Sequence, residues 1–141
     1  MIPTPSDEDY RRLLELRTGL RRFLRWSEQQ AEQAGVTPAQ HQLLLAIRGH
    51  PDERGPTIGE AAGYLLLRHH SVVGLVNRAE NAELIERVPD AVNRSVVRLR
   101  LTERGAAQLE TLSERQLTEV APLAATMHAL WAALEEGDGL L

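Results

Sequence analysis

A mostly α-helical chain carrying one small β-hairpin is the fold class this sequence predicts, and three observations predict it. Two threonine-led capping boxes, Thr37 to Gln40 and Thr57 to Glu60, open helices at defined points. Apolar residues recur at helical spacing, as in Val72, Leu75, Val76 and Ala79. Between about Leu84 and Leu101 the period drops to two: Val97, Leu99 and Leu101 alternate with Arg98 and Arg100.

The elements follow in order. Leu13, Leu16, Leu20, Phe23 and Leu24 predict a long first helix over about Ser6 to Ala34. Asp7, Glu8 and Asp9 sit where a helix N-terminus favours negative charge, and Gly35 stops the helix. Thr37 caps the second helix and Pro38 suits its first position. Leu43, Leu44 and Ile47 form its buried face, and Gly49-His50-Pro51 ends it. The second box opens a short helix with Ala61, Ala62 and Leu65. The chain turns after Leu66-Leu67, and a further helix runs from about His69 to Asn81. Leu84 to Val88 reads as a strand, Pro89 to Asn93 as a turn, and Val97 to Leu101 as the returning strand. Its period places Arg98 and Arg100 on an exposed face. Thr102 caps another helix, with Leu109, Leu112 and Leu117 on one face. Pro122 is expected to break or kink it. A last helix carries Leu123, Met127, Leu130, Trp131 and Leu134, and the tail Gly137-Asp138-Gly139 is expected to fray.

A length of 141 residues suits one domain spanning 1–141. A chain of that size buries roughly 70% of its unfolded surface, enough for a core without staples. The sequence has no cysteine, which excludes disulfides, thiolate metal sites and thiol redox sensing. No run of about 18 apolar residues exists, so no membrane span is expected. Met1-Ile2-Pro3-Thr4-Pro5 lacks a secretory pattern, and the expected location is cytoplasmic.

Net charge is −4, which by itself does not advertise nucleic acid. Its distribution says more. Residues 105–141 hold one Arg against six acids, whereas residues 87–104 hold five Arg against two acids. A local basic strip suffices for DNA, because only the contact surface meets phosphate. The same strip also fits an ordinary solvated strand. All cationic side chains other than histidine are Arg, none Lys, and a GC-rich coding bias produces that composition equally well.

No glycine-rich phosphate loop and no nucleophile elbow is present, so no enzyme is expected. His69 and His70 are adjacent and point different ways on a helix, while His41 and His50 lie nine apart. There is no His-x-x-x-His pair, and neither metal nor cofactor is expected.

Two short helices joined by a tight turn and followed by a hairpin describe a winged helix-turn-helix. The second helix of the pair would enter the major groove, and the hairpin would lie along the backbone or reach the minor groove. The plain alternative is a small helical domain with a hairpin that touches no nucleic acid.

The run from Gly35 to Gly105 resembles the multiple-antibiotic-resistance regulator (MarR) family. The matching pieces are Val36-Thr37-Pro38-Ala39-Gln40, Leu44-Leu45-Ala46-Ile47 and Thr57-Ile58-Gly59-Glu60-Ala61-Ala62. Then follow Leu75-Val76-Asn77-Arg78-Ala79-Glu80, Leu84-Ile85-Glu86-Arg87 and Val97 to Gly105. They cover about half the chain; each is weak alone, and their order and spacing make them specific together. The resemblance implies a homodimeric repressor on double-stranded DNA with a pseudo-palindromic operator, responsive to a small lipophilic or phenolic effector. It implies a winged-helix lobe over 36–104, with dimerisation helices over 6–34 and 105–136. The alternative within the same fold is a winged-helix dimer that acts through a protein partner without binding DNA.

Residue roles follow from placing Val72, Leu75, Val76 and Ala79 in the core. His69, His70, Val73, Gly74, Asn77 and Arg78 then lie on the other faces, with Ser71 near the helix start. Val73 can meet a thymine methyl, and Gly74 allows close backbone approach. Arg78 binds phosphate or pairs with a local acid. The family's usual wing arginine falls on Ser95 here, and Arg94 is the candidate to replace it, with Arg98 as a further DNA candidate. In the family the effector crevice lies between the first two helices and the DNA lobe, near the dimer region. The candidates are Arg21 (or Arg25) for a carboxylate, with Trp26 and His41 as borders. Trp26 equally fits a core or dimer residue, and His41 an exposed one.

Overall fold

The computed structural model, which describes residues 4–138, keeps the predicted order of elements with one change near the C-terminus. Its elements are α1 (Asp7–Gln33), α2 (Pro38–Gly49), α3 (Ile58–Leu65), α4 (His69–Asn81), β1 (Ile85–Pro89), β2 (Val97–Leu101) and α5 (Glu103–Asp138). The first and last residues named above, Met1 to Pro3 and Gly139, lie outside the described residues.

The change is at Pro122. The expected break does not occur, and α5 runs through it as one helix of 36 residues. A proline removes one i→i−4 bond and crowds the carbonyl four residues back, at a cost of about 3 kcal/mol. The flanking Ala121, Ala124 and Ala125 are strong helix formers and carry the helix on either side.

Both capping boxes form. Thr37 Oγ1 accepts from Gln40 N at 3.1 Å, and Gln40 Oε1 accepts from Thr37 N at 3.1 Å. Thr57 and Glu60 repeat the exchange at 3.1 and 3.0 Å. Each satisfies two amides that a helix start leaves without intrahelical partners. α3 ends at Leu66 in the left-handed region, φ 54°. Leu67 N then donates to Ala62 O at 3.2 Å, and the chain re-enters helix at His69.

Packing separates two units. Residues 30–113 form the winged-helix unit. Its core takes Leu43, Leu44 and Ile47 from α2, Ala61 from α3, and Val72, Leu75, Val76 and Ala79 from α4. Ile85, Leu99 and Leu109 close it. Each fully buried Leu, Ile or Val contributes about 1.5–3 kcal/mol of transfer free energy. β1 and β2 pair antiparallel in the register Ile85↔Leu101, Arg87↔Leu99, Pro89↔Val97. The segment before α3 docks on β2: Leu99 N donates to Pro56 O at 2.8 Å, and Thr57 bridges Arg98. Gly55 makes this approach possible. Its φ is +89°, and a Cβ there would stand 2.0 Å from Leu99 O.

The described residues up to 29 and from 114 form the other unit, from parts of α1 and α5. Gln116 Nε2 donates to Ser27 Oγ at 2.8 Å. Gly19 lets Leu123 close on α1, and a Cβ there would be 3.0 Å from Leu123 Cδ1. Tyr10, Leu13, Leu14, Leu24, Leu117 and Trp131 remain exposed on these helices. Among the described residues no helix is long and apolar enough to cross a membrane.

Candidate nucleic-acid interface

The periodicity of α4 decides what it can offer a ligand. Val72, Leu75, Val76 and Ala79 are buried, which anchors one side of the helix in the core. His69, His70, Asn77 and Arg78 are exposed, while Ser71, Val73 and Gly74 are half-buried. His70, Gly74 and Asn77 share the outward stripe at spacings of four and three. α4 begins without a side-chain cap, its N-cap being Arg68. Arg68, Arg78 and Arg94 make no ion pair among the described residues. An arginine without a carboxylate partner can offer its guanidinium to a phosphate.

Arg78 does not brace the fold through an acid. Its Nη1 lies 3.3 Å from where a Cβ on Gly74 would sit, so the missing side chain makes room for it. The bracing arginine is Arg87 on β1. Arg87 Nη1 donates to Glu80 Oε1 at 2.5 Å, and its Nη2 donates to Asn77 Oδ1 at 2.7 Å. This couples the wing to the helix face.

The tip of the wing is built by asparagine. Asn93 Oδ1 accepts from Ser95 N at 3.2 Å and from Ser95 Oγ at 2.6 Å. Ser95 is therefore committed to the turn, and Arg94 is the exposed cation of the tip. The turn closes through Asp90 N to Val96 O at 2.8 Å and Val96 N to Asn93 O at 2.9 Å.

Arg98 corrects an expectation. It does not stand on an open strand face, because its side chain is 14% exposed. Nε donates to Asp90 Oδ1 at 3.0 Å and Nη1 to Gly55 O at 3.1 Å. Asp52 and Glu60 lie 3.8 and 3.6 Å from its Nη1. The alternation put Arg98 opposite Leu99 correctly, but the 52–57 segment covers that face. Arg98 is a structural cation at the wing root, and Arg100 is the one of the pair left exposed.

Asp90 is the counterpart that periodicity missed. Its side chain is 5% exposed. Oδ2 accepts from Val92 N and Asn93 N at 3.2 and 2.9 Å, and Oδ1 also accepts from Arg54 Nη1 at 3.1 Å. The Asn93 amide, with Arg98 and Val92 after it, holds the carboxyl below its ordinary value against the opposing effect of burial. The Asp-x-x-Asn spacing was a readable signal for this turn. The reach to Arg54 and Arg98 was not.

The effector candidates separate. Trp26 lines a cavity of about 380 Å³ with Gly19, Arg22, Phe23, Glu119, Pro122 and Leu123. Arg21 is exposed and does not line it; Arg22, one residue and about 100° further round α1, does. Arg25 is likewise exposed outside it. His41 belongs to the winged-helix unit, at 6% exposure. It precedes Leu44 by one turn and so shares the buried face of α2, which corrects the exposed reading. Burial lowers its pKa, favouring the neutral imidazole.

Among the described residues no group of three or more His, Cys, Asp or Glu could hold a metal ion.

Comparison with known proteins bears on this geometry. Residues 34–94 match the sequence model of the MarR family. Over 61 residues the chain is 38% identical to the uncharacterized HTH-type transcriptional regulator YsmB of Bacillus subtilis (strain 168). That stretch covers 43% of this chain and 42% of YsmB, so the match spans less than half of the relative. The fold is similar to that of the MarR family transcription regulator SP03579, with a TM-score of 0.75 at 22% identity, covering 91% of this chain and 88% of that one. It is also similar to Staphylococcus aureus MepR in complex with DNA, with a TM-score of 0.67 at 20% identity, covering 94% and 96%. At these identities the two structures speak to fold.

Proposed function

We propose that this chain, whose residues 34–94 match the MarR family model, is a transcriptional regulator of that family and represses transcription as a homodimer on a pseudo-palindromic operator. The observation that carries the reading is the outward stripe of α4 together with Arg68, Arg78 and Arg94, which make no ion pair among the described residues. His69, His70, Ser71, Val73, Gly74, Asn77 and Arg78 meet the major groove, and Arg94 meets the backbone or minor groove from the wing. The DNA complex of MepR, which shares the fold, supports this use of it. Arg98 supports the wing from within.

The residues 36–104 serve as the DNA lobe, and 6–34 with 105–136 as the dimerisation region. The support is the exposed apolar row Tyr10, Leu13, Leu14, Leu24, Leu117 and Trp131, which isolated chains leave in water. A two-fold dimer would set the recognition helices roughly 34 Å apart, one helical turn of DNA. A small lipophilic or phenolic effector, for which the Trp26 cavity offers an aromatic wall, would act by favouring one spacing over another.

The test is binding of the purified protein to the DNA upstream of its own gene across a salt series. Saturable binding, two protomers per site and a steep salt slope are expected. A monomer at micromolar concentration would sink the operator geometry. Failure to bind any duplex at about 50 mM salt would leave the protein-partner reading in its place.

A further inference from the structure

We propose that Arg87 fixes the side-chain amide of Asn77 so that its NH2 group faces outward from α4 as a dedicated hydrogen-bond donor, which makes Asn77 a determinant of operator sequence. The inference rests on the reading of α4 as the recognition helix. An arginine guanidinium carries donors only. Arg87 Nη2 stands 2.7 Å from the Asn77 amide, so the atom turned toward it must be the carbonyl Oδ1. The opposite flip would set two donors against each other. An isolated exposed asparagine has no such constraint, and its two ends exchange freely.

Arg87 is itself held in place. It projects from β1, where it pairs with Leu99 of β2, and its Nη1 donates to Glu80 Oε1 at 2.5 Å. Asn77 and Glu80 lie three residues apart on α4, so one guanidinium spans both. Asn77 is exposed on the outward stripe, and Gly74, one turn earlier, adds no side chain to screen it. The result is an amide whose oxygen is occupied within the protein and whose NH2 is free.

In the major groove a donor finds acceptors on guanine (O6, N7), adenine (N7) and thymine (O4), whereas cytosine presents only its N4 amino donor. A freely flipping amide could satisfy cytosine through its oxygen. An amide locked by Arg87 cannot. Exclusion of cytosine at one position of each half-site, on the strand facing Asn77, is therefore expected.

The test is selection from a duplex pool with a fully randomised centre, using the full chain and two variants. The wild-type protein should deplete cytosine about tenfold at one position per half-site. Asn77→Asp keeps an acceptor for Arg87 but presents only acceptors outward, and should reverse the preference toward cytosine there. Arg87→Met should abolish the depletion at that position while preferences elsewhere in the site persist. A melting curve for each variant separates misfolding from altered reading, and if Arg87→Met does not fold, Asn77→Asp decides alone. A wild-type selection without cytosine depletion overturns the proposal. So does a folded Arg87→Met, or an Asn77→Asp, with the wild-type profile. If the wild-type protein captures no duplex at low salt, the recognition-helix reading itself fails and this inference falls with it. Capture with an unchanged profile in the variants overturns this inference alone.

Discussion

Arg98 Nε donates to Asp90 Oδ1 across 3.0 Å at the root of the wing, while the other Asp90 oxygen receives the amides of Val92 and Asn93. One carboxylate thus ties the second strand to the turn that presents Arg94. Asp90, Asp52 and Glu60 are all held below their ordinary values, chiefly by the Asn93 amide, the Arg54 side chain and the Thr57 amide respectively. A depressed carboxylate stabilises the fold above its unfolded pKa and loses that contribution as pH falls through the folded one. Denaturant midpoints followed from about pH 6 to about pH 2 should therefore fall steeply below about pH 4. Asp90→Asn should flatten part of that slope. A slope identical to that of the wild type would remove Asp90 from the acid response.

The two wing arginines should behave oppositely. Arg94→Ala should weaken DNA binding across all sequences and reduce the salt slope by about one, with stability unchanged. Arg98→Ala should leave Asp90 without its inner cation, lowering the melting temperature by several degrees with no change in salt slope. Salt titrations and melting curves on both variants check this. A reduced salt slope for Arg98→Ala would return it to the DNA surface.

His41 makes stability depend on pH near neutrality. Its folded pKa is lowered by burial, so the unfolded chain binds a proton that the folded one refuses. Stability is fully present above the ordinary histidine value of 6.5 and declines as pH falls below it. His41→Leu should remove this decline, measured as the difference in unfolding midpoint between about pH 7.5 and about pH 5.5. Parallel wild-type and variant profiles would show that His41 titrates alike in both states.

Two glycines should resist enlargement. A Cβ at Gly55 would stand 2.0 Å from Leu99 O, and one at Gly105 would stand 1.9 Å from Leu84 O. Both neighbours are backbone and cannot swing aside. Gly55→Ala and Gly105→Ala should each cost about 1–3 kcal/mol, with Gly55 at the upper end because its φ is also positive. Gly63→Ala, with nothing within 4 Å, serves as the control and should be neutral or slightly stabilising. Chemical denaturation of the three variants checks the order.

The sequence by itself determined where the two threonine-capped helices begin and the apolar stripes that α2 and α4 bury. Those signals are local: a threonine cap acts within three residues, and apolar periodicity within two turns. The extent of α4 and its buried stripe were legible for that reason, as was the family resemblance over its matched segment. Only the tertiary structure decided what covers each face. Arg98 alternates out of the core as expected, but Gly55, 43 residues earlier, folds over it and its carbonyl accepts a hydrogen bond from the guanidinium. Asn77 reads as one more exposed polar residue until Arg87, ten residues later on a strand, orients its amide. Pro122 reads as a break until the helices on both sides prove continuous. Contacts between residues far apart in the chain depend on how elements dock, and no local period encodes that.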